Sequence, residues 1–344
     1  MKRTTTIIAL AFALCGVLAL AGCAGNAGSQ ASSAASSSSD ATEAAASAEV
    51  AEAADALRVV SMKGPTSVGL ASMMQQEQGQ FTVVAAADEI GPMLLQDQVD
   101  VACVPANVAA TLYQKTDGQI RVVDVNTLGV LSVVTADSSV DSVAALEGRT
   151  VYMTGKGAVP EYTLRALLSA AGLDMEDVDV QFKSEPAEVA ALLAQDATAV
   201  GILPQPYATS INLKNPSIVA TVDLTQAWDE LVGADGGSVV TGVTVAKASF
   251  VEENPAVIDE FLARHAASAA VAQDDPASVA QAVVDLGIIE NAQLAEAAIP
   301  RCNVVCLTGA DMKTALAGYL AKLYEQDPAS VGGALPGDDF YYGA

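Results

Sequence analysis

The chain is short of histidine, tryptophan and basic residues. Its 344 residues include one histidine, one tryptophan, and 16 Lys and Arg against 41 Asp and Glu. A single histidine, His265, cannot supply an HExxH metal helix, and no G-x-S-x-G nucleophile elbow occurs. The many carboxylates show no local spacing that singles out a catalytic pair, so no catalytic residues are expected. The formal charge of −25 repels nucleic acid and anionic headgroups, which excludes both as partners. Past residue 22 no run is long and apolar enough to span a bilayer. Cysteines are also few: Cys15, Cys23, Cys103, Cys302 and Cys306. A Cys302–Cys306 bridge is conceivable in an oxidising compartment, but the last three thiols cannot all pair. CxxxC in a chain with one histidine is weak evidence for zinc. The expectation is buried structural cysteines, with no metal and no cofactor.

What is present begins at the N-terminus. Lys2 and Arg3 precede an apolar run, Ile7 to Leu20, of signal-peptide length. The run meets Leu20-Ala21-Gly22-Cys23, which resembles the lipobox read by bacterial lipoprotein processing. That resemblance implies a signal peptide over 1–22, diacylglycerol on Cys23, and an extracytoplasmic protein held to the membrane by lipid alone. Loss of Lys2 and Arg3 leaves 14 basic against 41 acidic residues, a formal charge of −27. Residues 23–56 are nearly all Ala, Ser, Gly and acidic, too poor in apolar area to offset the entropy of ordering. They read as a flexible tether with transient helix over Glu49–Leu57.

From Leu57 onward, short β-type runs alternate with helical stretches. Strands are expected at Leu57–Met62, Phe81–Ala86, Val99–Val104, Ile120–Asn126 and Gly129–Thr135. A second unit restarts near Asp141, with strands at Arg149–Met153, Val178–Phe182, Ala199–Leu203 and Ile218–Val222. Such alternation predicts α/β units built on parallel sheets with helices on both faces. Leu164, Leu167, Leu168 and Ala171 form one stripe at helical spacing. After a strand at Val239–Ala246 the tail is mainly helical. Ile258, Phe261, Leu262, His265 and Ala269 share one helix face, as do Met312, Leu316, Tyr319, Leu320 and Leu323. A helical tail without its own sheet returns to cover the first unit. The expected architecture is therefore two α/β lobes, 57–135 with 242–344 and 136–241. Two hinge crossovers, near Thr135–Asp141 and Ser238–Gly242, join them around a ligand cleft.

At this point the chain resembles the solute-binding proteins of ABC importers, and most of all the branch of nitrate, sulfonate, taurine and thiamine-pyrimidine binders. The matching pieces include Lys63-Gly64-Pro65-Thr66-Ser67, Val99 to Asn107, Leu146 to Val151, Thr154 to Tyr162, Leu203-Pro204-Gln205-Pro206 and Asp327 to Gly333. The resemblance covers roughly Leu57 to Tyr342. It implies a type II periplasmic-binding fold that closes on a small molecule, either an anion or a pyrimidine-like compound. Its partners would be that molecule and an importer permease, and the protein would act as a monomer. The alternatives are a thiamine-pyrimidine-forming enzyme of the same fold and a sensor lipoprotein with no importer.

Candidate ligand contacts sit where strands end and helices begin. Gly64 lets a ligand approach the backbone, and Thr66 and Ser67 open a helix whose free N–H groups suit an acceptor. The competing reading is plain N-capping. Asn107 follows a buried strand at the usual ligand edge, and Thr127 lies between two strands. Gly155-Lys156-Gly157 has the glycines of a backbone-amide nest beside a cation. Its spacing fits neither a P-loop nor a dinucleotide fingerprint. Gln205 stands between two prolines facing the expected cleft. The convergence of Thr66-Ser67 with Lys156 points to an anionic or strongly accepting ligand. Trp228 is expected in the core, His265 at a core edge, and Phe340-Tyr341-Tyr342 as a pin for the C-terminus.

Overall fold

The computed structural model describes residues 36–344, apart from 86 and 197. Cys23 and the signal segment lie outside the described residues. The strands are β1 (Arg58–Met62), β2 (Gln80–Val84), β3 (Val101–Pro105), β4 (Ile120–Leu128) and β5 (Leu131–Thr135). They continue with β6 (Thr150–Met153), β7 (Asp179–Phe182), β8 (Val200–Pro204), β9 (Val219–Asp223), β10 (Val240–Lys247) and β11 (Val304–Leu307). One six-stranded sheet has the order β11-β4-β10-β3-β1-β2, and a five-stranded sheet the order β7-β6-β8-β5-β9.

Both sheets are mixed rather than parallel. β10 runs antiparallel to β3 and β4, and β5 antiparallel to β8 and β9. The reason is topological. The strands of a βα unit all end at one edge of their sheet, whereas a strand that arrives from the other lobe starts at that edge and must run the opposite way. β11, expected as part of a helical tail, adds an antiparallel edge strand beside β4.

The first crossover also differs from expectation. β5 belongs to the second sheet, so the chain changes lobes at Gly129-Val130 and not at 135–141. β4 and β5 are both almost wholly buried. Burial on both faces therefore carries no mark of which sheet each joins. The return passes through 232–239 into β10.

Ser36–Asp55 is helical, where a mostly flexible tether was expected. Its end is held by contacts that the composition of 23–56 does not reveal. Ala54 is buried, Asp55 pairs with Arg264 at 2.6 Å, and Arg264 also donates to the carbonyl of Ala51.

The helical stripes fall where the sequence places them, except that Ala171 caps its helix and is half-buried. Leu164, Leu167 and Leu168 of the helix Val159–Ala170 are fully buried. So are Met312, Leu316, Tyr319, Leu320 and Leu323 of the helix Gly309–Gln326. These two helices meet. Thr163 Oγ1 lies 2.8 Å from the Tyr319 hydroxyl, and the Tyr162 hydroxyl donates to Asp327 Oδ2 at 3.0 Å. Trp228, on Leu224–Leu231, packs edge-on to Tyr319 with ring centroids 5.3 Å apart. One hydrophobic core therefore runs from Val60, Val104 and Val243 of the first sheet to Val133, Val151 and Ile202 of the second. At the chain end, Phe340 is buried against Tyr113, and the Tyr342 N–H donates to the carbonyl of Val122, which pins the C-terminus to the first lobe.

Candidate functional site

The carboxyl ends of β3 and β4 meet the start of β10 at one sheet edge, through the pairs Gly242–Pro105 and Gly242–Thr127. In the other lobe the end of β8 meets the start of β5, and the Gln205 N–H donates to the Val130 carbonyl at 3.0 Å. Beside the Gly129-Val130 crossover lies a cavity of about 440 Å³ with walls from both lobes. Gln205, Thr209 and Asn212 come from the segment after β8, Asp223 from the end of β9, and Arg301 and Asn303 from the turn before β11.

Arg301 gives the cavity its charge. It is exposed, and its Nη1 lies 3.5 Å from Thr209 Oγ1 across the lobe boundary. Among the described residues it is the one arginine with no carboxylate at ion-pair distance. Arg58, Arg121, Arg149, Arg165 and Arg264 all have acidic partners. Thr209 donates to Gln205 Oε1 at 2.7 Å, which leaves the Gln205 amide nitrogen as the donor end of that side chain. The one acid on the wall is already engaged. Asp223 Oδ1 accepts from the N–H groups of Thr225 and Gln226, capping the next helix. The cavity thus offers a guanidinium and the Gln205 amide against a carboxylate with one oxygen tied to backbone, while the amides of Asn212 and Asn303 already donate to the Ile218 and Gly129 carbonyls.

The other expected contacts are placed differently. Ser67 is fully buried and its hydroxyl is bound to the end of β1, 2.8 Å from Ser61 Oγ and against the Met62 carbonyl. Thr66 Oγ1 reaches the same carbonyl at 3.4 Å. These hydroxyls hold the strand-to-helix turn that Gly64 makes at a φ of 120°. Thr127 is buried and donates to Asn126 Oδ1, while Asn126 donates to Thr244. It therefore belongs to a polar network inside the first sheet. Asn107 is half-buried in the first turn of its helix, with its carbonyl accepting from Thr111. Gly155 and Gly157 make the expected left-handed turn, but the Gly157 amide donates to Glu161 Oε2 at 2.7 Å. The chain's own carboxylate fills the nest. Lys156 is exposed, with Nζ 5.9 Å from the centre of the Phe182 ring. Of the expected contacts, Gln205 lines the cavity. Lys156→Gln is accordingly expected to change ligand affinity by less than about 0.5 kcal/mol, as surface substitutions generally do. Calorimetric titration of the variant beside the parent checks this.

Sequence reasoning missed Arg301, Asn212 and Asn303. Pro300-Arg301-Cys302-Asn303 matches no motif. The available signal was isolation in a chain crowded with acids, since no Asp or Glu lies between Glu296 and Asp311. The cysteines match the structural expectation in part. Cys103, Cys302 and Cys306 are free, and burial pushes the Cys103 and Cys302 thiols up to about 12. Cys302 sits in an apolar cluster donating to the Ala298 carbonyl, whereas Cys306 approaches Asp124, so the two thiols have separate surroundings.

With this geometry in place, likeness to known proteins can be stated. The sequence profile of a family described as ABC transporter, phosphonate, periplasmic substrate-binding protein matches residues 69–231. The crystal structure of an ABC transporter protein from Parabacteroides distasonis superposes with a TM-score of 0.70 at 22% identity, covering 83% of this chain and 98% of that one. The fold is that of the ABC-importer substrate-binding proteins. The periplasmic aliphatic sulphonate-binding protein of Escherichia coli shares it at 18% identity and a TM-score of 0.65, over 81% of this chain and 90% of that one. The alkanesulfonate-binding protein of Xanthomonas axonopodis pv. citri, solved with MOPS, does so at 16% identity and a TM-score of 0.58, over 82% and 94%. No curated protein sequence matches the chain significantly. In this substrate-binding fold the two-lobe expectation and the strand alternation both find their place.

Proposed function

We propose that the protein is the extracytoplasmic solute-binding component of an ABC importer, taking a small anion in the cavity beside the β4–β5 crossover. The observation that carries the reading is Arg301. It is a guanidinium without a carboxylate partner, supplied by one lobe to a cavity otherwise walled largely by the other. A ligand bridging both walls favours the conformation in which the walls are close, which is the state a permease would read. The sulphonate-binding neighbours and the phosphonate-type profile support an oxyanion ligand. An enzymatic reading finds no histidine at the cavity, because His265 is buried beneath the first sheet. The ligand class is tested by thermal shift and calorimetry with nitrate, alkanesulfonates, taurine and phosphonates, with pyrimidines as neutral comparators. A ligand that binds only the native state raises its melting temperature. Stabilisation by the neutral ring compounds alone would refute the anion reading.

The protein is further proposed to be a monomeric lipoprotein, held to the membrane through Cys23 and handing its ligand to a permease. Cys23→Ser is expected to lose lipid labelling and to leave the membrane fraction. Labelling that persists in this variant would overturn the anchor.

A further inference from the structure

We infer that Asp124, His265 and Cys306 form a binding site for one borderline-soft divalent cation of the zinc type, inside the first lobe and apart from the ligand cavity. The three residues come from β4, the helix Pro255–Asp274 and β11. Their candidate ligand atoms all lie within 4.8 Å of one another. His265 Nδ1 is 2.8 Å from Asp124 Oδ2, and Cys306 Sγ is 3.8 Å from the same oxygen. Zinc bound at about 2.0 Å to nitrogen or oxygen and about 2.3 Å to sulfur sets its ligands roughly 3.3–3.7 Å apart in a tetrahedron. Shifts of less than about 1 Å therefore bring the three atoms to coordination distance.

The environment calls for positive charge. Asp124 and His265 are wholly buried, and among the described residues no lysine or arginine pairs with Asp124. Asp124 Oδ1 and His265 Nε2 are both buried without a hydrogen-bond partner. An orphaned oxygen on a buried carboxylate is costly, and a cation beside Asp124 would satisfy it. A divalent ion placed between Nδ1 and Oδ2, with Cys306 as thiolate, makes a neutral buried centre from two anionic ligands and one neutral one. Oδ1 is available as a second carboxylate oxygen. Binding releases one proton, from the Cys306 thiol to solvent. Coordination through Nδ1 uses the tautomer with its proton on Nε2, so a proton held on Nδ1 shifts there and frees the Nδ1 lone pair. Cys306 is only partly buried, and so provides the side from which an ion arrives. The N, O, S donor set selects zinc, with cobalt as its spectroscopic substitute, over the oxygen-preferring magnesium and calcium.

The test uses the full chain in detergent, stripped with a chelator and then titrated with Co²⁺ or Zn²⁺ alone. The parent is expected to take up one equivalent of Co²⁺ with sulfur-to-cobalt charge-transfer absorption, and Zn²⁺ should raise its melting temperature. Both effects should vanish in Cys306→Ser and survive in Cys302→Ser, whose sulfur lies in a separate apolar cluster. A measurement needing no substitution guards against misfolded variants. Zn²⁺ should slow alkylation of Cys306 in the parent by at least about tenfold, read by peptide mass spectrometry, because the metal-bound thiolate is occupied and shielded. Absence of thiolate-to-cobalt absorption together with unchanged Cys306 alkylation would overturn the site and leave a buried His–Asp hydrogen bond beside a free thiol. Equal uptake by Cys306→Ser would also overturn it.

Discussion

Arg301→Gln is expected to weaken binding of the proposed anionic ligand by about 1.5–3 kcal/mol, a loss of roughly 10- to 150-fold, because hydrogen bonds to a charged partner carry about that much. Glutamine keeps a donor and much of the stem, so the loss reports the charge and the second N–H of the fork. Folding should be nearly unaffected, since Arg301 is exposed and makes only the long contact to Thr209. Calorimetry gives the affinity and thermal melting controls for the fold. An unchanged affinity would move the binding site away from this cavity, and with it the proposed role of Gln205. Lys in place of Arg301 should recover part of the loss, since the point charge returns without the bidentate geometry.

Trp228→Ala is expected to destabilise the protein by about 3–5 kcal/mol, the range for removing a large aromatic from a packed core. Trp228 is wholly buried, stacks edge-on to Tyr319, and donates its indole N–H to the Gly237 carbonyl at 3.2 Å. The truncation therefore opens a cavity between the lobes and strips a carbonyl of its partner in the returning crossover. Denaturant unfolding followed by circular dichroism measures the effect, since the chain's only tryptophan fluorescence is lost with the substitution. A midpoint within error of the parent would show that the two lobes do not depend on this contact.

The positions of β1 to β10 were legible because short apolar runs lie between turn residues, whereas β11, Val304–Leu307, stood inside the expected helical tail. Helix faces were legible from their apolar spacing, as at Leu164, Leu167 and Leu168. The sheet to which a strand belongs was not legible. β5 is as buried as β4, and only its pairing with β8 and β9 assigns it to the second lobe. The candidate cavity was legible in one residue. Gln205 sits after a strand whose end faces the crossover, as its flanking prolines suggested. At Ser67 and Gly157 local partners, Met62 and Glu161, take up the groups that the hydroxyl and glycine patterns offered to a ligand. Arg301 acquires its meaning from Thr209, 92 positions away. His265 acquires its meaning from Asp124 and Cys306, also brought together only by folding.

The helix Gly309–Gln326 has a mechanical consequence. Tyr319 faces Thr163 and Trp228 of the second lobe, so both sheets rest on one continuous core. A packed interior does not stretch; it slides between discrete fits. Relative motion of the lobes is then a shear of this helix against Val159–Ala170 and Leu224–Leu231, with the connecting strands following passively. The radius of gyration measured by scattering should accordingly change little between ligand-free and ligand-bound protein, even when the ligand binds tightly.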